Sequence, residues 1–296
     1  MDNPAPSVKI AMLGDIMGEP GLKVIEERLP QLIIEHSPDF IMVNGENSAG
    51  GFGLNEECLK RILALDIDVI SGGNHTWEKR DFWPFLDSEK KLLRPANYPD
   101  GPGRGWIMIQ KEIRGKTFSF LAINLQGREL LNNIDCPFRC FDSILLKECP
   151  NSENEPVDCP IILVDFHAES TREKEAFGFY ADGRAAIVAG THTHVQTADE
   201  KILPRGTAYI SDLGMTGIAN AVIGMDPKIC IDRARNQVLY RMEAAVANNP
   251  AGENSAAGSS SSFGSFSSLI DQSCIHGIIA EIGDSGKAIS IQRLKI

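Results

Sequence analysis

Aromatic residues make up only 7% of this 296-residue chain, and no apolar run approaches the roughly 18–20 residues of a membrane-spanning helix. No membrane association is expected. Met1-Asp2-Asn3-Pro4-Ala5-Pro6 lacks the basic and apolar stretches of an export signal, which predicts a cytoplasmic protein. Basic residues are outnumbered: Lys+Arg 29 against Asp+Glu 40 leaves a net charge of −11. Such a field repels long polyanions, so extended nucleic acid is not an expected partner. A small phosphate ester stays open, because a bound cation reverses the sign locally. The seven cysteines are odd in number and scattered. Cys136, Cys140, Cys149 and Cys159 fit no familiar zinc spacing, so buried or half-buried free thiols are the expectation. There is no Gly-x-Ser-x-Gly elbow, and Arg114-Gly115-Lys116-Thr117 lacks the upstream glycine of a phosphate-binding loop, with Gln110 in its place.

What the chain does have is a recurring unit: an apolar stretch of β type running into a polar, glycine-bearing corner. Val8–Leu13 leads into Gly14-Asp15, Phe40–Val43 into Asn44-Gly45-Glu46-Asn47, and Val69-Ile70 into Ser71-Gly72-Gly73-Asn74-His75. Ile161–Val164 leads into Asp165-Phe166-His167, and Ala186–Val188 into Gly190-Thr191-His192-Thr193-His194. Helical periodicity lies between them at Leu22–His36, Glu56–Leu65 and Thr171–Tyr180. Short continuous apolar strands of this kind are buried on both faces in layered α/β folds. Trp106–Ile113 with Thr117–Asn124, and Ile275–Ile282 with Ala288–Leu294, read as strand pairs. The chain reads as one domain over residues 1–296, interrupted at Asn248–Ser268 by an Asn/Ala/Gly/Ser-rich insertion that buries too little to order itself. That insertion is expected to loop between strands at Val238–Val246 and Ile275–Ile282.

Ligands gather at the carboxyl ends of strands in open α/β sheets. Five such ends carry Asp15, Glu46 with Asn47, Asn74 with His75, His167, and His192 with His194, and they hold four of the six histidines. Singly, each is an ordinary turn former or core histidine. Together they form a mixed oxygen and nitrogen donor set suited to Mn, Fe, Zn or Ni, too large for one tetrahedral ion and suited to two ions sharing a carboxylate. Arg128 and Arg184 fit a phosphate grip or a surface ion pair equally. His36 closes a helix and His276 opens a late strand, and neither is assigned a role.

At these residues the chain resembles the calcineurin-like metallophosphoesterases, whose motifs recur here in order: Gly14-Asp15, Gly45-Glu46-Asn47, Gly73-Asn74-His75, His167 and Gly190-Thr191-His192-Thr193-His194. Asp15-Ile16-Met17 departs from the usual Asp-x-His, and Glu46 stands where the superfamily usually has a bridging Asp. That pairing with Asn47 resembles the bacterial YmdB-like branch. The resemblance implies a four-layer α/β/β/α sandwich of two mixed sheets flanked by helices. It implies a first metal on Asp15, Glu46, Asn47 and His194, and a second on Glu46, Asn74, His167 and His192. The metals would be two divalent ions, iron or manganese, with zinc an alternative. The implied activity is hydrolysis of small phosphodiesters, 2′,3′-cyclic nucleotides to 3′-nucleotides, by a metal-bridging hydroxide with His75 as general acid. The alternatives are a broad-specificity phosphatase or nuclease on the same centre, and a regulatory metal-binding protein acting through partners, with a homo-oligomer left open.

Overall fold

The computed structural model describes residues 7–150, 159–238, 241–245 and 273–296. The first sheet is built on β1 (Val8–Leu13), flanked in parallel by β3 (Phe40–Asn44), which in turn pairs in parallel with β4 (Val69–Ser71). On its other side β1 runs antiparallel to β12 (Ser273–Ile282), which also pairs with β13 (Ala288–Lys295) and, through its first residues, with β11 (Met215–Ile218). The two-residue β2 (Asp15–Ile16) closes that edge beside β11. The second sheet runs β5 (Trp106–Ile113), β6 (Lys116–Gln126), β7 (Ile161–His167), β8 (Ile187–Thr191), β10 (Ala208–Ile210) and β9 (Lys201–Ile202). Its three central pairings, β6–β7, β7–β8 and β8–β10, are parallel. Both sheets are thus mixed.

Alternation along the strands sorts the side chains into layers. Ile41, Val43 and Ile70 pack under α1 (Gly18–His36) and α2 (Glu56–Leu63), in one cluster with Leu86 of α3 (Trp83–Ser88). Their neighbours Phe40, Met42 and Val69 turn the other way and meet Phe120, Leu163 and Ile187 of the second sheet, with Phe40 and Phe120 stacked 4.4 Å apart. Leu121, Val164 and Val188 face outward beneath α4 (Pro137–Glu148) and α5 (Thr171–Ala181). The result is the expected α/β/β/α sandwich. The Arg114-Gly115 turn joins β5 to β6 with φ of 50° and 77°, the geometry of a tight hairpin and not of a phosphate loop.

Two expectations change. Residues 241–245 form no strand, only an isolated bridge from Ala244 to Met225 after α6 (Pro227–Asn236). The reason is that β12 is paired on both edges, by β1 and β13, and has no edge left for Val238–Val246. Asn248–Ser268 lies outside the described residues. The cysteines are free, and Cys159 is exposed where burial was expected. Among the described residues no helix is long and apolar enough to cross a membrane.

Candidate metal centre

The face between the sheets changes character along each strand. Phe40 and Met42 of β3 are followed in the same parity by Asn44, Val69 of β4 by Ser71, and Leu163 of β7 by Asp165 and His167. In β6 and β8 the same alternation reaches Asn124 and Thr191. At the carboxyl end of the sandwich these polar side chains meet the corner residues. All seven predicted ligands lie together there, and Asp15, Glu46, Asn47, His167 and His194 are buried.

The tighter group converges on His167 Nε2, which lies 3.0 Å from Glu46 Oε1, 2.9 Å from Asn74 Oδ1 and 3.0 Å from His192 Nδ1. The looser group is centred on the Asn47 amide, 3.4 Å from Asp15 Oδ1, 3.3 Å from Glu46 Oε1 and 3.2 Å from His194 Nε2. Glu46 belongs to both. Gly73 makes the first approach possible, because a Cβ there would stand 2.3 Å from Glu46 Oε2 and 2.4 Å from His167 Nε2.

Each of the three buried or half-buried imidazoles is tied by one nitrogen and turns the other inward. Thr191 Oγ1 donates its only proton to Asp165 Oδ1 at 2.6 Å, so at 2.9 Å it accepts from His167 Nδ1. His192 Nε2 faces the Glu169 carboxylate at 3.1 Å, and His194 Nδ1 donates to the Ile223 carbonyl at 2.8 Å. This outer tie is what holds a metal-ligating histidine in one tautomer. His192 and His194 also hold left-handed backbone, φ 100° and 64°, an unusual conformation for residues with a side chain.

The donor chemistry fits a cation. One proton on His167 Nε2 cannot serve Glu46, Asn74 and His192 Nδ1 together, whereas a metal ion accepts lone pairs from all four. Asn47 Oδ1 is buried with no hydrogen-bond partner among the described residues, as are both amide atoms of Gln126, the register neighbour of His167 on β6. Electrostatics agree. Burial would raise the Glu46 carboxyl, but the adjoining His167 ring holds it down. Burial opposes charge on His167, but the Glu46 carboxylate lifts that ring, so the pocket favours positive charge at this point. Burial, with the His167 charge behind it, pushes His192 down to about 3, which leaves its inward nitrogen unprotonated.

His75 stands apart from these donor atoms. Its backbone N–H donates to Glu46 Oε2 at 3.1 Å, while its half-buried ring turns outward to Glu78 Oε1 at 3.0 Å and to the Phe52 ring.

A family model described as YmdB-like protein matches residues 11–256. The chain belongs to the YmdB-like family. It is 38% identical over 291 residues, 98% of this chain and 97% of the relative, to the 2′,3′-cyclic-nucleotide 2′-phosphodiesterase of Bacillus subtilis (strain 168). Among solved structures it is similar to a phosphatase of Mycoplasma pneumoniae, with TM-score 0.81 and 28% identity over 99% of this chain and 94% of that one. It is also similar to a hypothetical protein from Thermus thermophilus, with TM-score 0.78 and 31% identity over 98% and 99% of the two chains. The YmdB-like architecture is that of the metallophosphoesterases, a fold type that uses divalent metals.

In this YmdB-like chain several supporting residues were not singled out from sequence. Asp165, Thr191 and Glu169 orient the histidines. Asp212, buried, pairs with Lys174 at 2.7 Å and accepts from Thr193 N–H and O–H at 3.2 and 2.8 Å, holding the loop that carries His192 and His194. Asp165 had a signal, its period-two relation to His167; Lys174 and Asp212 had none. Arg184 is a surface residue paired with Asp142 at 2.7 Å and stacked over Phe141 and Tyr180, away from the metal centre. The backbone N–H of Arg128 donates to buried Glu173. His36 ends α1, and His276 lies on β12 with both ring nitrogens buried and unpartnered among the described residues.

Proposed function

We propose that this phosphoester hydrolase is a metal-dependent phosphodiesterase of small substrates, opening 2′,3′-cyclic nucleotides to 3′-nucleotides. The observation that carries the metal dependence is the set of three imidazoles, each anchored by one nitrogen and aimed inward by the other. One cation would sit on Asp15, Glu46, Asn47 and His194, and another on Glu46, Asn74, His167 and His192. When bound, divalent ions such as iron or manganese, with zinc the alternative, supply positive charge for phosphate oxygens and lower the pKa of water. The net charge of −11 disfavours long nucleic acid and leaves this local field to attract a small anion. The substrate assignment draws on the name of the Bacillus subtilis relative and on the place of His75.

His75 is held at the rim by its backbone bond to Glu46 and its ring contact with Glu78, so its imidazole can face a leaving group without being a ligand. In the net reaction water oxygen bonds to phosphorus, the P–O2′ bond breaks, and the His75 proton goes to O2′. The product is a 3′-phosphate with a free 2′-hydroxyl, and the proton lost by water balances the one His75 gave.

The test is His75→Ala on two substrates. Hydrolysis of a 2′,3′-cyclic nucleotide, whose alkoxide needs a proton, should fall about 10²–10⁴-fold with metal content unchanged. Hydrolysis of bis-p-nitrophenyl phosphate, which releases a stable phenolate, should fall far less. Equal losses would remove the proton-donor role, and loss of metal would make His75 a ligand. Full activity on both would remove His75 from the reaction.

A further inference from the structure

A cleft of about 570 Å³, lined among others by Glu19, Pro20, Ala49, Phe52, Lys79 and Met242, is joined to His75 through the Phe52 ring. Phe52 is half-buried and stands nearly perpendicular to the His75 ring, the centroids 5.0 Å apart at 79°. It packs against a methionine cluster, Met17, Met215 and Met225 with Met242, which supports the ring in place. Lys79 makes no ion pair with a described residue. The volume lies within the range of small-molecule sites.

We infer that this cleft receives the base of the substrate nucleotide, with Phe52 as its stacking face. The inference rests on the functional reading above and adds to it a substrate-selecting residue. The argument is one of connectivity. The oxygen that takes the His75 proton is on C2′, and the neighbouring carbon, C1′, carries the base. The base therefore lies within a few ångströms of His75, and Phe52 is the aromatic wall that touches His75. An aromatic ring accepts the π-face of any base, so the selection is for a nucleoside over an aliphatic diester and is tolerant of base identity. Lys79 at the rim supplies a donor for the carbonyl and ring-nitrogen acceptors of a base.

Adenosine 2′,3′-cyclic phosphate and glycerol 1,2-cyclic phosphate share the strained ring and the alkoxide leaving group and differ in the nucleoside. In Phe52→Leu the ratio of kcat/KM for the adenosine ester to that for the glycerol ester should fall about 10-fold, chiefly through KM. An unchanged ratio, whatever the total activity, would overturn the stacking role and leave Phe52 as a support for His75. Binding to the wild-type protein gives a second measurement independent of turnover and of the variant's folding. 2-Aminopurine riboside 3′-monophosphate should bind with quenched emission, and binding without quenching would overturn the inference. If wild type opens the glycerol ester and not the adenosine ester, the base site fails while hydrolysis stands. If wild type opens neither, the functional reading itself fails and the inference with it.

Discussion

The same strands build both ends of the space between the two sheets, and the two ends do opposite things. At one end Phe40 stacks on Phe120, and Met42, Leu163 and Ile187 fill the gap with no polar atom among their side chains. At the other, one or two residue pairs further along, Asn44, Ser71, Asp165 and Thr191 occupy the same face. There the Asp165 carboxylate accepts from all three of the others. The first end holds the sandwich together through buried apolar area. The second gives up that contribution to fix the orientation of His167. Division of labour along a strand, and not between domains, is what this sandwich teaches. A substitution at one end should leave the property of the other largely intact.

The largest effect is expected where both halves of the centre meet. Glu46→Gln keeps the shape of the side chain and removes the charge that both proposed ligand groups share. Metal content by elemental analysis should drop well below one ion per chain, and activity should fall on the order of 10³-fold. Retention of full metal in this variant would remove the bridging assignment. Phe120→Ala attacks the opposite end. It should lower unfolding stability by about 3–5 kcal/mol in denaturant titration, while the folded fraction binds metal as tightly as wild type. A parallel loss of metal affinity would show that the two ends are coupled and would break the division.

Thr191→Val sharpens the same contrast at its boundary. It removes the hydroxyl that links His167 Nδ1 to Asp165, so the ring loses its fixed tautomer while the strand keeps a side chain of the same outline. Metal affinity should weaken about 10–100-fold, with a smaller stability loss than Phe120→Ala. Competition against a chelator, run beside a denaturant titration on the same preparation, measures both. A variant that binds metal normally but unfolds early would place Thr191 among the structural residues instead.

How much of this could be read before the structure depends on the range of each contact. The parallel strands, the two hairpins and helices α1, α2 and α5 follow from local patterns, and the polar corners follow because strand ends collect ligands. The supporting shell is different. Asp165 and Thr191 share a face with residues two positions away and could be found by alternation. Lys174 meets Asp212 across 38 residues, from a helix to a loop, and the type of neither residue announces the pair. Short strands such as β10 and β2 carry too few residues for a period. The strand expected at Val238–Val246 shows the converse limit: its local pattern was apolar, but the described residues 241–245 form no strand, and β12 had no edge left to pair with them.

The smallest effect is expected at the rim, where solvent replaces packing. Glu78 lies 3.0 Å from His75 Nδ1, but its side chain is 51% exposed, so water screens the contact and competes for it. In the proposed mechanism its contribution is orientation: a ring tied at Nδ1 would present Nε2 to the leaving group. Glu78→Gln can still accept through its amide oxygen, so most of that orientation survives. The rate on a 2′,3′-cyclic nucleotide should fall by about five-fold or less, and the rate on bis-p-nitrophenyl phosphate should not change, because its phenolate needs no proton. Metal content should also stay at the wild-type value, since among the described residues Glu78 contacts His75 and none of the proposed ligands. A loss as large as that of His75→Ala would mean that the carboxylate takes part in the proton transfer itself. In that case the exposed rim would belong with the buried end of the sandwich, and exposure would be the wrong guide to which contacts matter here.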